Sequence, residues 1–364
     1  MRGTHGRGHM GSCEHSDLLS KCLVWPPISG PRRGRYERLA VKITAGFFKN
    51  VLSRYRLPDP RCCDCARMYR LRDFACAVAC VCLGLYPSPG AFAHTTVTSH
   101  HGLPQWNFDP GIVTPLLFSA LLFGAGWRRL RSRSRRGANQ LLHRARLFGS
   151  GWIVLSLALV SPLHEAGELA FCAHMVEHEL IMLVAAPLLV FSKPLPVMLW
   201  ALPSQIRQPV GSWVVRSRFA SLWGFLSAPV TATIIQAGVL WLWHMPTLFN
   251  LALASEWWHA VQHAAFLTAA LLFWYAMLAR HRSISVAALC LVITSIVSGA
   301  LGALMAFASS PWYSGYSTMG MAPFGLTPAE DQQLAGLIMW VPGGLVHAGA
   351  ALLLMQRLWK PVHG

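Results

Sequence analysis

Seven apolar segments, at about 110–127, 147–164, 170–191, 226–243, 257–278, 286–308 and 334–354, limit what this chain can become. Each approaches the ~20 residues that an α-helix needs to cross a hydrocarbon layer of ~30 Å. A spanning segment must satisfy its backbone N–H and C=O groups internally. The expected fold is therefore all-α: a polytopic membrane protein built as a seven-transmembrane-helix bundle. The composition agrees, with 54% hydrophobic and only 12% charged residues, where a soluble domain carries ~25% charged. The abundance of Leu, Val, Phe and Trp excludes disorder. A formal charge of +17 would suit a nucleic-acid binder, but the basic residues precede the apolar region or fill short gaps within it. Membrane lipid is the expected surrounding, and no nucleic acid is expected as a partner.

The gaps carry the orientation. Arg128, Arg129, Arg131, Arg133, Arg135, Arg136, Arg144 and Arg146 follow the first segment, and Lys193, Arg207, Arg216 and Arg218 follow the third. Arg280 and Arg282 follow the fifth, Arg357 and Lys360 the seventh. The alternate gaps, 94–109, 165–169, 244–256 and 309–333, hold no Lys or Arg. Positive charge stays in the cytosol, so the first helix begins outside and the last ends inside: N-out/C-in.

The N-terminal region differs. Residues 1–67 are rich in Arg, Gly, Pro and Cys without a helical period, and are expected to be an over-called or disordered extension. Residues 68–93 have a signal peptide's layout: Arg70 and Arg72, an apolar run from Phe74 to Tyr86, then Ala91-Phe92-Ala93 as an A-x-A-like cleavage site. On that reading 94–109 is a periplasmic segment, 110–356 the transmembrane domain and 357–364 a cytoplasmic tail. The rival is a cytosolic tail followed by an uncleaved, short helix.

The chemistry-bearing residues gather on the side without arginines. Asp109, Glu165, Glu168, Glu177, Glu179, Glu256, Glu330 and Asp331 lie there or in the adjoining helix halves. Six histidines share that depth: His164 ends the second segment, His174 and His178 open the third, His244 closes the fourth, His259 and His263 open the fifth. His174/His178 and His259/His263 are i, i+4 pairs, which put both rings on one helix face, with Cβ atoms ~6 Å apart, able to share one metal. Met182 extends the first stripe, and Met175 and Met245 lie beside His174 and His244 in sequence. Imidazole with thioether suits copper, Cu(I) in particular. Glu177 and Glu179 are candidates to fix a histidine tautomer from behind. The ordinary reading of each residue singly is different: a hydrogen-bonded interfacial His, a core Met. His347 lies deeper, in the seventh segment. No P-loop, nucleophile elbow, dinucleotide-binding loop or Ser-His-Asp signature appears, and Cys172 and Cys290 imply no disulfide framework. An enzyme is not expected.

Several motifs together resemble a known family. They are His174-Met175-Val176-Glu177-His178 running on to Ala185-Ala186-Pro187-Leu188-Leu189, Trp106-Asn107-Phe108-Asp109-Pro110, Ser161-Pro162-Leu163, Trp243-His244-Met245-Pro246, His259-x-x-x-His263 with Phe273-Trp274, and Asp331-Gln332-Gln333 with Met339-Trp340. In order and spacing these resemble the multi-helix CtaG family of cytochrome c oxidase assembly factors, over about 106–355. The acidic Glu177-His178-Glu179 departs from the pattern. The resemblance implies a bacterial inner-membrane protein that works with cytochrome c oxidase subunits and delivers or handles copper near the catalytic subunit.

The expectation is thus a copper site near the periplasmic face, with His174, His178, His259 and His263 first, then His164 and His244, and Met175 and Met245 as softer ligands. A haem-binding membrane electron carrier, a metal transporter and a scaffold without metal remain as alternatives. Asp331 and Gln332 are expected to cap the seventh helix or orient a histidine.

Overall fold

The computed structural model describes residues 104–133, 137–216, 219–278, 284–318 and 325–359. The chain divides into a unit of Cys62–Lys360 and one of Met1–Arg61 with Pro361–Gly364; only the former contains described residues. The expected extension at 1–67, the signal peptide at 68–93 and most of the tail at 357–364 lie outside them.

All regular structure among the described residues is helical. In chain order these are α1 (Pro110–Arg133), α2 (Ala138–Val160), α3 (Pro162–Leu169), α4 (Phe171–Ser192), α5 (Pro194–Leu199), α6 (Ser204–Arg216), α7 (Phe219–Leu226), α8 (Pro229–Trp243), α9 (Pro246–Ala254), α10 (Glu256–Leu278), α11 (Ile284–Ala306), α12 (Ser314–Ser317) and α13 (Pro328–Trp359). Five of them, α1, α4, α10, α11 and α13, are long and apolar enough to span alone. The second and fourth expected spans are broken: α2 and α3 meet at 45° and α7 and α8 at 69°. Counting each bent pair as one gives seven, so the described residues hold five to seven candidate spans.

Local chemistry explains the boundaries. Before α1 the Asp109 N–H donates to Asn107 Oδ1 (2.8 Å) and Asp109 Oδ1 accepts from Gly111 N–H (3.0 Å), with Pro110 as the first helical residue. The Ser161-Pro162 pair ends α2 and starts α3: Ser161 is extended and its hydroxyl oxygen accepts from Leu163 N–H. His164 therefore sits on a separate short helix, beyond a 45° bend from α2. Lys193, at φ 49°, closes α4 ahead of Pro194, a residue disfavoured in a continuing α-helix by the proline that follows it.

α4 contains a π-helical stretch, Leu180–Ala185. There the Ala186 N–H reaches back five residues to Ile181 O. In that register Met182 O would take its hydrogen from residue 187, which is proline and has none. The Trp274 indole on α10 donates to Met182 O instead, at 2.8 Å.

Close packing comes from glycine. A Cβ on Gly302 would fall 2.8 Å from Gly336 O, and one on Gly336 would fall 2.5 Å from Gly302 O, so α11 and α13 run almost backbone to backbone. At the arginine-rich end, the Arg207 guanidinium lies 4.1 Å from the Trp200 ring centre and Arg131 5.1 Å from that of Trp127. Such pairing of cations with interfacial tryptophans suits the edge of a hydrocarbon layer.

A buried histidine cluster as candidate metal site

The arginine-poor ends of α3, α4, α8 and α10 converge, and the six expected histidines with them. All six are buried, His174 and His178 almost completely. Ring centres are separated by 4.3 Å for His174–His178, 4.5 Å for His259–His263, 5.2 Å for His174–His259 and 5.0 Å for His178–His263. His164 lies over this group from α3, stacked on His259 at 5.1 Å. His244, one helix over, is 6.5 Å from His178.

Helix α4 is held in place by a distant residue. Asp331, near the start of α13 and 2% exposed, accepts both Phe171 N–H (2.7 Å) and Cys172 N–H (3.0 Å). These are the first N–H groups of α4, which have no partner within their own helix. Asp331 thus caps the histidine-bearing helix rather than its own. Gln332 ties down the neighbouring loop, accepting from Trp312 N–H and donating to Ser310 O. Gly167 completes the approach: a Cβ there would meet His174 Cα at 3.2 Å. The Tyr316 hydroxyl donates to Gly167 O (2.6 Å) and the Tyr313 hydroxyl to His244 O (3.0 Å). Burial raises both phenols above their usual range, so both remain protonated donors.

The nitrogens have little to bond to within the protein. No acceptable hydrogen-bond geometry reaches either nitrogen of His174 or His178, nor Nε2 of His244, His259 or His263. His263 Nε2 lies 3.4 Å from Glu177 Oε1 but is not aligned for a hydrogen bond. His244 Nδ1 is 2.7 Å from Leu240 O; a carbonyl only accepts, so Nδ1 carries the hydrogen and the lone pair is on Nε2. Glu177 Oε1 lies 2.8 Å from His164 Nδ1, the arrangement by which a carboxylate orients a metal-binding imidazole. One nitrogen each of His174, His259 and His263 fall within 4.8 Å of one another, and so do ligand atoms of His164, Glu168 and His259. A buried trio and a more open one, with exposed Glu168, share His259.

The two methionines differ from each other in their surroundings. Met175 is buried in the hydrophobic core, and Met245 is 51% exposed. Met245 has extended backbone (φ −65°, ψ 132°) as the cap of α9. Glu168 was visible as the i+4 neighbour of His164 but carries no such emphasis in sequence. Glu179 faces away from the rings, its Oε2 3.5 Å from where a Cβ on Gly343 would sit. Cys172 and Cys290 are buried free thiols.

The family model described as cytochrome c oxidase caa3 assembly factor matches residues 121–360. Uncharacterized proteins of Mycobacterium bovis and Mycobacterium tuberculosis are each 27% identical over 182 residues, 48% of this chain. The chain covers only 27% of the length of either relative. No solved structure matches.

Proposed function

Because the chain belongs to the cytochrome c oxidase caa3 assembly factor family, we propose that it handles copper for the oxidase at the histidine cluster. The observation that carries this is the trio His174, His259 and His263: buried imidazoles from two helices, with ligand nitrogens within 4.8 Å and short of hydrogen-bond partners. Buried polar atoms without partners are costly, and one bound cation satisfies several together. Neutral imidazole suits Cu(I), and the neighbouring His178 and His244 provide further nitrogen lone pairs. The open trio with Glu168 and the buried trio share His259, so cargo can exchange ligands in passing from the mouth to the interior.

The charge asymmetry of the gaps supports reading this end of the bundle as periplasmic, in a seven-span, N-out/C-in protein of a bacterial inner membrane that follows a cleaved signal peptide. The client is an oxidase subunit, and the role is assembly rather than catalysis. Copper analysis of the detergent-solubilised protein and of the host oxidase tests this. His174→Ala with His178→Ala should lower copper in both and reduce oxidase activity. Unchanged oxidase copper and activity would sink the proposal. Sharp haem bands from the purified wild type would replace it with the electron-carrier reading.

A further inference from the structure

One turn beyond His178, the bundle encloses a chamber that the histidine cluster does not use. Its volume is about 20 Å³, room for one small guest. Glu179 and Met182 of α4, Gln236 of α8, Trp274 of α10 and His347 of α13 line it. Gln236 and His347 are 7% and 5% exposed. The Gln236 Nε2–H donates to Met182 Sδ at 3.7 Å, while its Oε1 has no partner. Glu179 Oε2 is likewise covered and unpartnered. His347 Nδ1 is 2.8 Å from Gly343 O. A carbonyl only accepts, so the hydrogen is on Nδ1 and the lone pair on Nε2. The imidazole stacks on Trp274, at 5.7 Å and 5°, the same indole that donates to Met182 O. The chamber's hydroxyls make no further demand: Thr294 donates to Cys290 O and Ser298 to Thr294 O.

Unpartnered oxygens at this depth call for a guest that brings hydrogens or positive charge. Water meets that need, but the rest of the donor set is selective. A thioether and a neutral imidazole favour Cu(I) over the hard cations, which prefer all-oxygen cages. The placement agrees: Met182 lies four residues beyond His178 on α4, so the chamber begins about one turn along the helix from His178.

We propose that this chamber is a second holding site for Cu(I), with Met182 Sδ and His347 Nε2 as donors. The Gln236 amide and Glu179 carboxyl oxygens face the ion's charge. This rests on the copper reading of the histidine cluster and deepens it: the cargo has two stations, the second reached from His178. Movement between them is ligand exchange, with no change in the ion's oxidation state.

The test is anaerobic Cu(I) titration of the detergent-solubilised full chain against a chromophoric chelator, with X-ray absorption at the copper edge. Wild type should bind two equivalents and show a sulfur neighbour. Met182→Leu, close to volume-conserving, should bind one fewer and lose the sulfur signal. His347→Phe, which keeps a ring against Trp274, should also bind one fewer. Two equivalents with sulfur retained in Met182→Leu would overturn the inference. So would a single equivalent with only nitrogen neighbours in wild type, a result that leaves the outer cluster standing and makes the guest a water. Absence of any bound Cu(I) in wild type would remove both readings together.

Discussion

Replacing Asp331 with Ala strands two N–H groups, those of Phe171 and Cys172, in surroundings where the two residues are only 1% and 5% exposed. A buried donor left without a partner costs about 1–3 kcal/mol, which gives about 2–6 kcal/mol for the pair. Relief from burying a carboxyl group offsets part of this, so the net loss should be about 3 kcal/mol. Asp331→Asn keeps one acceptor oxygen and should lose about half as much. For a bundle of this size the Ala variant should melt about 6–12 °C lower, read by a thermal shift assay in detergent. The effect should reach the metal as well, because the capped turn immediately precedes His174. Cu(I) affinity should fall in the same order, wild type, Asn, Ala. A melting temperature within about 2 °C of wild type for Asp331→Ala, beyond what a stability loss under ~1 kcal/mol gives, would refute the assignment of this carboxylate as the cap that holds the histidine helix.

Two further outcomes follow from the same geometry. Glu177→Gln should keep the His164 contact but remove the carboxylate, weakening Cu(I) binding about 10–100-fold while the melting temperature moves little; chelator competition measures it, and an unchanged affinity would argue against Glu177 as the orienting group. Trp274→Phe removes the indole N–H that serves Met182 O in the π-helical stretch and should destabilise by about 1–3 kcal/mol. Denaturant unfolding in micelles checks this, and wild-type stability would mean that the carbonyl finds another donor.

The segments, the one-sided arginines and the two i, i+4 histidine pairs were legible in sequence because each depends on short-range spacing. The breaks at Ser161-Pro162 and Ala228-Pro229 were marked by proline, but the 45° and 69° bends are set by what each half packs against. That is why His164 belongs to a short helix set at an angle to α2. The role of Asp331 was out of reach for a different reason. A residue near a helix start reads as that helix's own cap, whereas its partners lie 160 and 159 positions earlier.

The π-helical stretch in α4 also divides that helix into two halves with different loyalties. One extra residue in the turn shifts the azimuth of everything after it by about 100°. Before the shift, Phe171–Glu179 packs against α3 and α13 and presents His174 and His178; after it, Ala186–Ser192 packs against α2 and α10. A regular helix of the same sequence would carry both surfaces in one phase and could not fit both sets of neighbours. The stretch works as a gear tooth out of step, letting a single rod mesh with two differently set partners.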